Sequence, residues 1–181
     1  MIGFVLARRY AQALIDLASE ENIIAEVGGD LDEIAGLFEE SSELTFVFAN
    51  PTISIQEKKD ALSAILDKTG VQNLTKKFVS LLLEKNRIMG IEEIAAAYQS
   101  IADTIHNRVR TRVVVASPLG KGDEKKVREA LSKLTGKEVI LEVEVDESIL
   151  GGIVAYVGSQ VYDWSLANQL EQVKDSLSSR R

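Results

Sequence analysis

The sequence predicts an α+β fold, in which an N-terminal six-helix bundle precedes a small α+β domain with a short β-sheet. Apolar residues recur at helical spacing from residue 4 to about residue 105, and the period changes to that of β-strands after Asn107. The chain has 181 residues, of which 45% are hydrophobic, and this is enough for two small cores. We therefore expect a helical domain over residues 1–107 and an α+β domain over residues 108–181.

Breaker and capping residues divide the helical half into six segments. Asn22 is expected to cap the second helix, and Asn50-Pro51 ends the third, because the residue before proline avoids the helical conformation. Ser54 and Glu57 form a capping box at the start of the fourth helix. The connections are short, which favours antiparallel neighbours in a bundle. The predicted helices cover residues 4–19, 22–40, 43–48, 54–69, 73–85 and 91–106.

The second half mixes strands and helices. Asp123 is expected to cap a helix that Gly136 ends, and Gly151-Gly152 interrupts the strand pattern. Close backbone packing or a bulge explains such a glycine pair better than a phosphate loop, since no G-x-G-x-x-G follows. The predicted elements are a strand at 111–116, a helix at 123–134, a strand at 139–145, a hairpin of 153–157 with 161–162, and a last helix opened by Ser165.

Composition excludes several classes of function. The net charge of -7 argues against nucleic-acid binding, which needs a clustered excess of lysine and arginine. The chain has no cysteine, so disulfides, thiolate catalysis and zinc-thiolate sites are excluded. It also lacks an apolar run of about 18 residues, so we expect no insertion into a membrane.

Residues that could perform catalysis are scarce. His106 is the only histidine, and it ends a polar helix without an indicated nucleophile or orienting carboxylate. We therefore expect no catalytic residue, no cofactor and no metal site. One enzymatic alternative remains open, in which Asp146, Gly151-Gly152 and Asp163 line a small pocket.

Partner binding is the function that the helical pattern favours. The first helix is apolar on more than one side, because Leu6, Ala13 and Ile15 lie off the main stripe. Such a bundle can offer a groove to a partner helix, although all these side chains could instead meet inside the bundle. Two interpretations also remain open for Asp163 and Trp164. Asp163 could belong to a helix cap and Trp164 could anchor the core, or this corner could face a partner.

Four stretches together resemble one family. They are ARRYAQALIDLA near the start, ANPTIS followed by Lys58 and Lys59, LLLEKNRI, and VDESILGGI. This pattern resembles the delta subunit of bacterial F-type ATP synthase, whose mitochondrial relative is the oligomycin-sensitivity-conferring protein. The resemblance covers the chain end to end and is most specific over residues 139–158. The chain departs from the family pattern at Trp164, where the family usually has glycine.

The resemblance implies a non-catalytic stator subunit that links the alpha/beta catalytic head to the b-type peripheral stalk. It implies that a groove between the first and fifth helices receives the N-terminal helix of an alpha subunit, and that the C-terminal domain binds b-type stalk subunits. The implied groove residues are Tyr10, Ala13, Leu14, Leu17, Phe78, Leu81 and Leu82, and the implied stalk-binding residues are Asp163, Trp164, Leu166 and Leu170.

The resemblance also implies one copy in a large hetero-complex, at the cytoplasmic face of the cell membrane or the equivalent face of an organelle membrane. A free-standing adaptor unrelated to the synthase is the competing interpretation, and it would bind helices other than the alpha N-terminus.

Overall fold

The computed structural model describes residues 3–146, 148–158 and 160–178. The chain divides into two compact units, one ending at Ala102 and the other beginning at Asp103. This division lies a few residues before the expected domain boundary at 107/108. The carboxylate of Asp103 accepts a hydrogen bond from Arg110 Nε at 2.8 Å, which ties residue 103 to the first strand of the second unit.

The N-terminal unit is helical. A short 3₁₀ turn at Ile88–Gly90 precedes its last helix, so its helical elements are not limited to the six that the sequence predicts. The helices are α1 (Phe4–Glu20), α2 (Ile24–Glu40), α3 (Ser42–Ala49), α4 (Ile55–Thr69), α5 (Asn73–Glu84) and α6 (Ile91–Ile105).

The capping chemistry of this unit was only partly predictable. Ser54 and Glu57 form the expected capping box, with Ser54 N donating to the Glu57 carboxylate at 2.9 Å. The prediction that Asn22 caps α2 is wrong, because Ile23 occupies the N-cap position and no side chain bonds there. Asn22 instead adopts a left-handed conformation with φ 58°, in the turn that follows α1. Asparagine tolerates this conformation, which explains its presence in the turn.

The core of the helical unit joins residues from all six helices. Tyr98 of α6 is fully buried, and its hydroxyl donates to the carbonyl of Ile24 at 3.0 Å. A Cβ added to Gly28 would lie 3.4 Å from the Tyr98 ring, so the glycine permits close approach of α2 and α6. Asp30 accepts hydrogen bonds from Gln72 N and from the buried Thr75 hydroxyl, which connects α2 to α5. These contacts hold α2 against both α6 and α5.

The C-terminal unit carries one mixed sheet in the order β2-β1-β3-β4. β1 and β2 are parallel and are joined through α7, whereas β1 with β3 and β3 with β4 are antiparallel. The α+β prediction is therefore confirmed. The elements are β1 (Arg108–Val115), α7 (Lys121–Thr135), β2 (Glu138–Val145), β3 (Ile153–Val157), β4 (Gln160–Asp163) and α8 (Leu166–Ser178).

Two local predictions for this unit are wrong. Asp123 does not cap α7, because Gly120 is the N-cap residue, and Asp123 lies in the first turn. There its carboxylate pairs with Lys126 at 3.0 Å, and a first-turn acid also complements the helix dipole. β1 begins at Arg108, three residues before its predicted start. Arginines at every second position made this part of the strand look polar.

The two faces of the sheet have different chemistry. Val113, Val115, Val139 and Ala155 pack with Leu131 of α7 on one face and form the core of the unit. On the opposite face, arginines of β1 pair with glutamates of β2, and the Arg112 guanidinium lies 4.5 Å from the centre of the Tyr156 ring. The ion pairs are Arg108–Glu138 at 2.8 Å, Arg110–Glu142 at 3.6 Å and Arg112–Glu144 at 3.3 Å.

Gly151 and Gly152 permit a close backbone contact, as the structural interpretation of this pair predicts. Both have positive φ, 135° and 87°. A Cβ at Gly152 would overlap the Trp164 carbonyl oxygen and lie 2.8 Å from Ser165 Cα. Gly151 O accepts from Leu166 N at 2.9 Å, and Ile153 O accepts from Trp164 N at 2.8 Å. The glycine pair thus holds the start of α8 against the start of β3.

Thr111 provides a stability test of the core of this unit. Its side chain is fully buried, and its hydroxyl has no hydrogen-bond partner among the residues that the structure describes. Thr111→Val keeps the β-branched shape and removes the unpaired hydroxyl, so we expect a stabilisation of about 1 kcal/mol. Urea unfolding followed by the fluorescence of Trp164 measures it, and a loss of stability would show that the hydroxyl has a partner.

Candidate partner-binding surfaces

The candidate groove residues on α1 separate into core and surface positions. Leu14 is buried in the core of the helical unit, whereas Ala13 is exposed and Leu17 is 49% exposed. Tyr10 is half-buried beside them. Tyr10, Ala13 and Leu17 follow one another at i, i+3 and i+7, so they share one face of the helix. That face is available to a partner, and Leu14 is not.

The candidates on α5 separate in the same way. Leu82 is fully buried and Phe78 is 8% exposed, whereas Leu81 is 42% exposed. The Tyr10 and Phe78 rings meet edge to face with their centres 6.4 Å apart, which connects the open faces of α1 and α5. We define the α1–α5 surface as Tyr10, Ala13, Leu17, Phe78 and Leu81. Its aliphatic residues are Ala13 and Leu17 on α1 and Leu81 on α5, and the Tyr10–Phe78 ring contact joins the two helices.

Charged side chains border the α1–α5 surface. Lys77 and Lys85 lie one turn before and after Leu81, and both are exposed. Glu84 forms an ion pair with Lys59 of α4 at 2.6 Å, and this lysine lowers the pKa of the glutamate. An apolar residue between two exposed lysines suits an amphipathic helix with acidic flanks.

An apolar cleft of about 260 Å³ also lies beside α1, and the sequence pattern did not predict it. Phe4, which is 75% exposed, contributes one wall, and Ala96, Ala97 and Ile101 of α6 contribute the other. The signal in the sequence was the alanine pair, because small residues on a helix allow another helix to approach closely.

The four stalk-binding candidates all lie at the junction of β4 and α8. Trp164, Leu166 and Leu170 are 45%, 48% and 66% exposed. Ser165 caps α8, because its hydroxyl accepts from Asn168 N at 3.3 Å, as the sequence predicts. Leu166 and Leu170 of α8 are thus exposed to solvent for about half or more of their surface.

Asp163 has a structural role at this junction. Its carboxylate accepts from Ser165 N at 2.8 Å, and hydrogen bonding with Ser165 lowers the pKa of Asp163. Asp146 makes the same kind of turn, since its carboxylate accepts from Ser148 N at 2.9 Å and Ser148 lowers its pKa. Both carboxylates line one cavity of about 520 Å³. A general acid at neutral pH needs a raised pKa, so these shifts argue against either carboxylate serving as a general acid.

Neither a metal centre nor a membrane span is indicated in the described ranges. No group of three histidine, aspartate or glutamate side chains there could hold a metal ion. No helix in that part of the chain is long and apolar enough to cross a membrane. His106 is exposed just after α6.

Comparison with protein families gives a match over nearly the whole chain. The family model described as ATP synthase delta (OSCP) subunit matches residues 6–177. A protein of Geobacter sp. strain M21 named ATP synthase subunit delta is 37% identical over 172 residues, which cover 95% of this chain and 96% of that protein. Another of that name from Solidesulfovibrio magneticus is 38% identical over 179 residues, which cover 98% of each chain.

A solved structure resembles the chain over the same length. It is a chain of the Toxoplasma gondii mitochondrial ATP synthase hexamer, with a TM-score of 0.72 and 28% sequence identity. The match covers 95% of this chain and 97% of that chain. Both units are thus represented in one chain of a large assembly.

Proposed function

Since the chain belongs to the ATP synthase delta (OSCP) subunit family, we propose that it is a stator subunit linking the catalytic head of an F-type ATP synthase to its peripheral stalk. In this role the chain is a structural subunit and not a catalytic one. It holds the head against the torque of the rotor, so that rotation is coupled to ATP synthesis or proton transport. We place it at the cytoplasmic face of the cell membrane, or at the equivalent face of an organelle membrane, as one copy per complex.

The observation that carries this proposal is the family match across residues 6–177, which includes both units. A link needs two separate attachment points, and each unit offers exposed apolar side chains of its own. Isolated exposed apolar residues are ordinary, but grouped ones indicate a binding surface.

We assign the alpha-subunit N-terminal helix to the α1–α5 surface. Ala13 provides room for close approach, and the exposed Leu17 and Leu81 supply aliphatic contacts in addition to the Tyr10–Phe78 pair. A helix that lays its apolar stripe here would bury these side chains and bring its acidic residues near Lys77 and Lys85. We assign b-type stalk subunits to the C-terminal unit around Trp164, Leu166 and Leu170, with Asp163 holding the turn that presents them.

Leu81→Asp tests the head-binding assignment. The change removes an aliphatic contact and places a carboxylate in an apolar interface, so we expect the affinity for the partner helix to fall by about tenfold or more. The probe is a synthetic peptide of about 20 residues from the alpha-subunit N-terminus, long enough to span the helical unit. Titration calorimetry with the full-length chain measures the dissociation constant.

Phe46→Asp is the matched control, because Phe46 is an apolar residue of the same unit, 67% exposed, on α3. We expect it to leave the affinity unchanged, and far-UV circular dichroism should match wild type for both variants. Wild-type affinity in a well-folded Leu81→Asp variant would refute the α1–α5 surface as the site. Failure of the unmodified chain to restore ATP-driven proton pumping to stripped membranes would refute the stator role itself.

A further inference from the structure

An apolar groove of about 190 Å³ lies on the C-terminal unit between α7 and Trp164. We call it the α7–Trp164 groove. The buried Leu131 forms its floor, and Leu134 and Trp164, both about half-exposed, form its two sides. Its lining residues are Val127, Ala130, Leu131, Leu134, Ile153 and Trp164.

The tryptophan side of the groove is held in place. The Trp164 ring stacks on Tyr162 with ring centres 5.6 Å apart and an angle of 12°. Its backbone N–H donates to Ile153 O at 2.8 Å, and its carbonyl accepts from Gln169 Nε2 at 3.2 Å. A ring fixed before binding loses little conformational entropy on contact, and half-exposed aromatic residues of this kind dominate many interfaces.

Two lysines border the helical side of the groove, next to the acidic residues Asp123 and Glu129 of the same helix. Lys126, Ala130 and Lys133 follow one another at i, i+4 and i+7, so they form one flank of α7 beside Leu134. Lys126 pairs only within its own helix, with Asp123. Lys133 makes no ion pair with any described residue. The Lys133 ammonium next to an apolar groove favours a ligand with negative charge beside its apolar stripe.

The geometry of the groove fits a helix. Its four α7 residues extend from Val127 to Leu134, about two helical turns or roughly 10 Å. A helix laid along α7 presents apolar residues at i, i+3, i+4 and i+7 over the same length.

We infer that the α7–Trp164 groove binds an amphipathic helix whose apolar stripe covers Trp164 and Leu134 and whose acidic residues face Lys126 and Lys133. This inference rests on the proposed function, because it specifies the chemistry of the stalk segment that the C-terminal unit holds. It places the stalk contact on the α7 side of the sheet, beside the α8 residues of the stalk-binding set.

Trp164 is the only tryptophan of the chain, so its emission reports directly on the groove. Two synthetic helical peptides with the same leucine stripe serve as probes, one flanked by glutamates and one by lysines. With the full-length chain, we expect the glutamate peptide to shift the emission to shorter wavelength and to bind at least tenfold more tightly than the lysine peptide. Equal affinities, or binding without an emission shift, would overturn the inference.

Variants on α7 sharpen the test. Lys133→Glu should remove or invert the difference in affinity between the two peptides. Leu134→Asp should weaken binding of the glutamate peptide about tenfold. Lys125→Glu makes the same charge change on the opposite side of α7 and should leave the preference as in wild type. Circular dichroism checks that each variant is folded. If Lys133→Glu left the preference for the glutamate peptide unchanged, the acidic side of the bound helix would not face Lys133.

A pull-down with the soluble part of the b-type stalk subunits separates the two proposals. If the stalk protein binds wild type and the Leu134→Asp variant equally, the groove inference fails and the stator role stands. If the stalk protein does not bind wild type at all, the stator role fails. Loss of stalk binding in Leu134→Asp and Lys133→Glu, but not in Lys125→Glu, supports both proposals.

Discussion

Replacing Gly152 with alanine is expected to lower the free energy of unfolding of the C-terminal unit by about 3 kcal/mol. Two effects add up here. The positive φ of 87° costs an alanine roughly 1–2 kcal/mol, and its methyl group would overlap the Trp164 carbonyl and the start of α8. Forced overpacking typically costs a further 1–3 kcal/mol. Urea unfolding followed by Trp164 fluorescence measures the change, because the tryptophan lies at this junction.

Two other glycines of the same unit separate these effects. Gly158 has φ 59° but no atom within 4 Å of an added Cβ, so Gly158→Ala should cost only the conformational part, about 1 kcal/mol. Gly122 lies in α7 with open space around it, and Gly122→Ala should be neutral or stabilising by about 0.5 kcal/mol. If Gly152→Ala proved no worse than Gly158→Ala, the close contact with Trp164 would not be confirmed.

Lys58→Met is expected to destabilise the helical unit by about 2 kcal/mol. Lys58 is 8% exposed, and its ammonium donates to the carbonyl of Phe48 at 2.8 Å. Phe48 lies in the last turn of α3, where carbonyls lack helical partners and carry partial negative charge. Methionine keeps the packing of the side-chain stem and leaves this buried carbonyl without its donor. Thermal and urea unfolding followed by circular dichroism at 222 nm measure the loss.

The neighbouring residue Lys59 is the control for this variant. It also forms an ion pair, with Glu84 at 2.6 Å, but both side chains are well exposed. Solvent screens such pairs and their ordering costs entropy, so Lys59→Met should change stability little. Equal effects of the two substitutions would show that burial of Lys58 contributes nothing.

Local chemistry made much of the fold predictable. The Ser54–Glu57 box and the cap at Ser165 were recognised because each is complete within four residues. The start of β1 was missed because its arginines are stabilised by glutamates about 30 residues away on β2. Pairing between distant strands leaves no periodic signal in either strand alone.

The sequence could predict which side of each helix is apolar, but not which residues on that side are exposed to a partner. Positions 14 and 17 are both leucine and lie about one helical turn apart, yet Leu14 is buried and Leu17 is 49% exposed. Periodicity locates the apolar side of α1, but the neighbouring helices decide which part of that side they cover. The outward position of Leu170 on α8 was unpredictable for the same reason, since an amphipathic helix is expected to turn its apolar stripe toward its own domain.

The exposed Leu166 and Leu170 of α8 affect the solubility of the subunit before it is assembled. A copy that has not yet met its partners presents Trp164, Leu166 and Leu170 to water, and uncovered surface of this kind favours self-association. We expect the isolated subunit to form concentration-dependent aggregates, and we expect these aggregates to disappear when its partners are added. Analytical ultracentrifugation can detect both. Cells would then need to match synthesis of the subunit to that of its partners, because excess copies would be lost to precipitation or proteolysis.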